Sequence, residues 1–99
     1  MLNIETKRNA SELTVVLSGR LDTNTAPELE KELNASLEGV NALTIDMEKL
    51  DYISSAGLRV LLAAQKTMNR QGSMKVKNAN EIIMEIFEVT GFADILTIE

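Results

Sequence analysis

The sequence predicts an α/β fold: one small mixed sheet, with an antiparallel N-terminal hairpin and parallel central strands, packed against helices. Three observations carry this. Two strand-like runs, Leu2–Lys7 and Leu13–Ser18, are separated by Asn9-Ala10-Ser11-Glu12, which is long enough for a hairpin and too short for a crossover. From Thr25 onward, segments with apolar residues at helical spacing alternate with short strand-like runs, the pattern of strands joined by whole helices. The chain has 99 residues, 44% of them hydrophobic, enough for a single domain spanning residues 1–99 with one core of modest size.

The elements follow in order. Leu2, Ile4 and Thr6 alternate with Asn3, Glu5 and Lys7, so the first strand is half-buried. Leu13-Thr14-Val15-Val16-Leu17 is β-branched and apolar, and reads as a second, more buried strand. Gly19 to Asn24 reads as a polar loop leading to a helix. Thr25 and Glu28 have capping-box spacing, Pro27 suits a first helical turn, and Ala26, Leu29, Leu33 and Leu37 repeat along one face until Gly39. Ala42–Met47 is the third strand. A helix follows from about Ala56 to Arg70, with Leu58, Leu61, Leu62 and Met68 apolar and Gly72 as its stop. Met74–Lys77 is a short fourth strand. Asn78 or Asn80 caps a third helix that runs to about Val89, with Ile82, Ile83, Ile86 and Phe87 on one face and Gly91 at its end. Ile95–Ile98 forms a last edge strand or a helical turn. Crossovers through whole helices make the central strands parallel.

Composition excludes several functions. Net charge is −5, which opposes nucleic acid as a main partner, because neutralising phosphates needs a basic surface. There is no cysteine, so disulfides and thiolate metal sites are absent. There is no histidine, the commonest general base and transition-metal ligand. No cofactor motif occurs: Gly57 stands alone, outside any Gly-rich phosphate loop. The N-terminus lacks an apolar signal core, and no stretch approaches the roughly 20 apolar residues of a membrane span, so a cytoplasmic protein without direct membrane insertion is expected. Nothing in the sequence sets an oligomeric state.

The most informative stretch is Asp51-Tyr52-Ile53-Ser54-Ser55-Ala56-Gly57-Leu58-Arg59. It places two serines on a strand-to-helix turn, at or beside the helix N-cap. Backbone N–H groups are unpaired there and the helix dipole is positive, so a hydroxyl or a phosphate is well accommodated. Taken alone, Ser55 reads as a capping residue. Asp22 lies in another loop that leaves a strand and leads into a helix, so both loops are placed at one edge of the sheet. Asp22 by itself reads as a solvated or capping acid, Leu58 as core, and Arg59 as a solvated side chain.

Three segments together carry a family resemblance. Leu17-Ser18-Gly19-Arg20-Leu21-Asp22 with Thr25-Ala26, Asp46 to Leu58, and Ile86-Phe87-Glu88-Val89-Thr90-Gly91-Phe92 resemble, at family spacing, the STAS domain of bacterial anti-sigma factor antagonists. The resemblance covers essentially the whole chain and implies a STAS-like fold. It implies a non-catalytic phospho-switch that regulates transcription by partner switching. The unphosphorylated form binds an anti-sigma factor that is itself a serine kinase, releasing the sigma factor; phosphorylation breaks the complex, and a metal-dependent serine phosphatase resets it. The family's phosphoacceptor matches Ser55, with Ser54 the alternative. Many relatives carry Asp where this chain has Ser54. Asp22 matches a loop acid near the phosphoacceptor that helps partner binding. Thr23, Asn24, Ser54, Ser55, Gly57, Leu58 and Arg59 complete the expected partner surface.

Two rivals remain at this level. A serine hydrolase using Ser55 lacks a histidine base and any Ser-x-x-Lys spacing at the turn, so no enzyme is expected. The other is a STAS-like structural or regulatory subunit of a transporter or stress-signalling complex, with the serine unmodified.

Overall fold

A computed structural model describes residues 1–99. The elements are β1 (Leu2–Asn9), β2 (Glu12–Leu21), α1 (Ala26–Ser36), β3 (Ala42–Ile53), α2 (Ser55–Gln71), β4 (Ser73–Lys77) and α3 (Glu81–Thr90), then a 3-10 turn, Phe92–Asp94. The sheet order is β1-β2-β3-β4, with β1 antiparallel to β2 and the other pairs parallel. The predicted mixed sheet is therefore the observed one. No helix is long and apolar enough to cross a membrane.

One face of the sheet carries the core. Leu13, Val15, Leu17 and Leu21 of β2, Leu43, Ile45, Met47, Leu50 and Ile53 of β3, and Met74 and Val76 of β4 are buried. They join Leu29 and Leu33 of α1, Leu58, Leu61 and Met68 of α2, and Ile83 and Phe87 of α3 in a single cluster of 25 residues. The opposite face carries polar side chains such as Lys7, Thr14, Thr44, Asp46 and Lys75, all exposed or half-buried.

Both central strands run beyond the predicted bounds. β2 reaches Leu21, so Gly19, Arg20 and Leu21 belong to the strand and not to a polar loop. β3 reaches Ile53, six residues past Met47. Two irregularities in the β2–β3 register, between Val16 and Ser18 and between Gly19 and Arg20, interrupt the strict alternation that marks a strand in sequence. β4 pairs with β3 only through Asp46, so the last stretch of β3 has β2 alone as its ladder partner. There the Nδ2 of Asn80 donates to Leu50 O at 3.1 Å, and its Oδ1 accepts from Ile83 N at 2.9 Å as the α3 cap. Asn80, not Asn78, is thus the capping residue.

Other expectations shift in detail. The Thr25–Glu28 capping box does not form, because the Thr25 hydroxyl turns back to the β2 end. Ile82 lies outside the buried face of α3 and is 59% exposed; Ile83 and Phe87 do the packing. Over Ile95–Ile98 neither a strand nor a helical turn forms: the 3-10 turn lies earlier, at Phe92–Asp94, and the end of the chain makes a single parallel bridge from Ile98 to Val76.

α1 has no basic residue in its last turn, and its final carbonyls are met from outside the helix. The Arg8 guanidinium of β1 donates to Ser36 O at 3.3 Å and Glu38 O at 3.2 Å. Arg8→Ala is expected to lower stability by about 1 kcal/mol, read as a lower urea midpoint with an unchanged slope. An unaltered midpoint would show that water replaces these bonds at no cost.

Candidate functional site

The site is set by where β2 and β3 end. Leu21 pairs with Ile53 as the last rung of a parallel ladder, so both chains leave the sheet at the same edge. The ladder continues one step further: Ser54 N donates to Leu21 O at 2.9 Å. That bond ties the Asp22–Thr25 loop to the start of α2.

The first loop is closed by its own side chains. Asp22 Oδ1 accepts from Asn24 N at 3.0 Å, from Thr25 N at 3.1 Å and lies 3.2 Å from Thr25 Oγ1. Thr25 Oγ1 accepts from Asp22 N at 2.8 Å and donates to Arg20 O at 2.8 Å. The pattern is an Asx turn braced by a buried threonine. Asp22 Oδ2 lies 3.7 Å from Arg20 Nε, and the Arg20 guanidinium sits over the Tyr52 ring, 4.6 Å from its centroid.

These contacts set the Asp22 charge. Partial desolvation pushes its carboxyl upward, but the Thr25 and Asn24 N–H groups, the Thr25 hydroxyl and the Arg20 guanidinium outweigh it and hold the carboxyl below its ordinary range. A carboxyl depressed in the folded state stabilises the fold at neutral pH; that contribution is lost as pH falls through the folded-state value. Wild type is therefore expected to lose stability below about pH 3.9 more steeply than Asp22→Asn, whose amide oxygen keeps the acceptor without the charge. Acid unfolding curves of identical slope would show that Asp22 is not held as described.

The two serines differ in access. Ser54 is the α2 N-cap residue, with extended backbone, yet its side chain makes no capping bond. Its Oγ is buried and has no hydrogen-bond partner. The reason is local: the Ser54 N–H continues the sheet ladder, so residue 54 follows the strand and its side chain turns inward. Ser55 is the first residue of α2 and is exposed. The expected capping role of Ser55 is therefore not realised, and only Ser55 offers an accessible hydroxyl.

The other expected surface residues divide. Thr23, Asn24 and Arg59 are exposed. Gly57 and Leu58 are buried, Leu58 at 5% exposure, so neither presents a side chain to a partner. Gly57 instead allows close packing: a Cβ there would stand 2.7 Å from Leu21 Cγ and 2.9 Å from Ile53 Cγ1. Thr25 is also buried, at 7% exposure, and supports the loop from beneath.

Arg20 and Tyr52 belong to the site and were not singled out from the sequence. The signal was there: each stands two residues before its loop residue, Asp22 or Ser54, and the register pairs them. A groove of about 250 Å³ opens between Thr23, Pro27 and Glu30 on the α1 side and Ala56, Arg59 and Val60 on the α2 side. No group of three or more His, Cys, Asp or Glu residues is placed to hold a metal ion. The arrangement is a surface with one accessible alcohol at a helix start, braced on a rigid double loop.

Comparison with known proteins agrees with the fold. The STAS domain family model matches residues 2–99. The chain is 32% identical to the anti-sigma-B factor antagonist of Bacillus subtilis (strain 168), over 98% of this chain and 90% of that protein. It is similar in fold to an anti-sigma factor antagonist from Mycobacterium paratuberculosis, with a TM-score of 0.90 and 22% identity, covering 99% of this chain and 85% of the other. It is also similar in fold to the phosphorylated form of the Bacillus cell fate determinant SpoIIAA, with a TM-score of 0.77 and 14% identity, covering 98% and 91% of the two chains.

Proposed function

The chain belongs to the STAS domain family, and from that premise we propose that it is an anti-sigma factor antagonist switched by phosphorylation of Ser55. Unmodified, it docks on an anti-sigma factor serine kinase through the double-loop edge and so releases the sigma factor. The observation that carries this reading is the exposed Ser55 hydroxyl at the start of α2, bonded into register with the Asp22 loop through Ser54 N and Leu21 O.

The chemistry belongs to the partners. In the kinase, Ser55 Oγ attacks the γ-phosphorus of ATP, ADP departs, and the hydroxyl proton passes to a kinase base. A metal-dependent phosphatase reverses the state by adding water to the phosphoserine, giving serine and inorganic phosphate. The chain has no histidine to serve as a base for Ser55 and acts as a non-catalytic, cytoplasmic binding module. Phosphorylated SpoIIAA shares the fold of this unmodified chain, which supports a switch that leaves the backbone in place.

The test is phosphorylation by the anti-sigma factor kinase of the same organism with ATP. Intact mass should show one added phosphate, mapped by fragmentation to Ser55, and Ser55→Ala should take up none. Phosphate on Ser54, or no uptake by wild type, would overturn the reading; no uptake would favour a structural subunit of another STAS assembly.

A further inference from the structure

Arg59 lies four residues after Ser55 on α2. Helical positions i and i+4 are neighbours on one face, with Cβ atoms about 5–6 Å apart. Both residues are exposed. Arg59 is uncommitted: the ion pairs of the protein are Arg20 with Asp22 and Lys75 with Glu99. Arg20, the other base at this edge, is held between Asp22 and the Tyr52 ring. Across the groove from Arg59, Glu30 of α1 is the only carboxylate in the lining.

We propose that Arg59 is the counter-charge of phosphorylated Ser55, a positioning residue that draws the phosphate back along α2. The inference rests on the phospho-switch reading and adds how the charge is handled. A phosphoserine carries about −1.5 to −2 charges and three acceptor oxygens, and a guanidinium meets two of them with parallel N–H donors. An arginine one turn into the helix reaches the phosphate without altering the backbone. The consequence is double: phosphorylation adds an anion to the docking edge and withdraws the guanidinium that the unmodified edge presents. Glu30 competes weakly, because one exposed carboxylate across a groove offers less charge than a phosphate on the same helix face. Asp22 is occupied by its loop and by Arg20.

The experiment places phosphoserine at 55 by genetic encoding, so it does not depend on the kinase. Phosphorus NMR then follows the second ionisation of the phosphate with pH in the full chain. Free phosphoserine ionises near pH 6. The wild-type background is expected to ionise lowest, Arg59→Gln about 0.5 higher, and Arg59→Lys in between, with the differences shrinking in high salt. Glu30→Gln is expected to leave the ordering unchanged. Equal values in wild type and Arg59→Gln would overturn the proposal, while failure of the kinase to modify Ser55 would overturn the phospho-switch reading instead.

Discussion

Phosphorylation of Ser55 is expected to weaken docking to the anti-sigma factor kinase about a thousandfold while leaving the domain folded. Two opposing magnitudes decide this. Inside the domain, a phosphate at the first residue of α2 meets the positive end of a 17-residue helix, a favourable interaction of about 0.3–1 kcal/mol, up to about 2 if partly buried. At an interface the same dianion must be stripped of water on a protein that already carries a net charge of −5. A single Arg59 guanidinium offsets only part of the phosphate's nearly two charges, and an uncompensated remainder buried between two proteins, with the pair's own desolvation, costs several kcal/mol. A balance of about 4 kcal/mol corresponds to a factor near a thousand. Calorimetric titration of the kinase with unmodified and phosphorylated protein measures the ratio directly. Ser55→Ala is expected to bind as tightly as wild type, and Ser55→Asp to bind less tightly, though better than the phosphoprotein, because it carries one charge instead of nearly two. The thermal melt of the phosphoprotein should match or slightly exceed that of the unmodified form. A phosphoprotein that melts early would replace exclusion with unfolding as the mechanism, and equal affinities would remove the switch.

Much of this arrangement was legible in the sequence, and the parts that were not share physical causes. The element order and the hairpin followed from periodicity and loop length, which depend only on local pattern. The start of α2 at the serines followed from the change from strand to helical spacing. The full lengths of β2 and β3 were hidden, because Arg20, Lys49 and Asp51 lie on strands yet are polar, and the register irregularities break alternation where the site begins. Thr25 had capping-box spacing, but its hydroxyl oxygen accepts from Asp22 N–H and its proton goes to Arg20 O, so it does not turn to the N–H of Glu28. The burial of Ser54 Oγ could not be read from residue type, because Ser54 and Ser55 are chemically identical. Only the ladder bond from Ser54 N to Leu21 O separates them. Gly57 was expected on the partner surface, and its actual role, a close approach to Leu21 and Ile53, required the fold because Leu21, the partner in that contact, lies on another strand.

That partner allows the fold and the site to be tested as one unit. Leu21 is fully buried at the last rung of β2, and its side chain fills the space that a Cβ on Gly57 would need. Leu21→Ala is expected to cost about 2–5 kcal/mol of stability through lost burial and the cavity left behind. Gly57→Ala gains up to about 1 kcal/mol of helix propensity. It also forces Leu21 and Ile53 apart, an overpacking cost of about 1–3 kcal/mol, so the net effect is destabilising. The two changes are complementary in shape. In a Leu21→Ala background the contacts of the new methyl with Leu21 Cγ and Cδ2 disappear and only the one with Ile53 Cγ1 remains, so most of the overpacking is relieved while the propensity gain is kept. The double variant is therefore expected to be more stable than the sum of the single losses by about 1–2 kcal/mol, within the range seen for residues in contact. Urea unfolding of the four proteins closes the cycle. Additive losses would mean that α2 shifts as a body to admit the methyl, carrying Ser55 with it. In that case Gly57→Ala alone should disturb phosphorylation of Ser55 without any change at the hydroxyl.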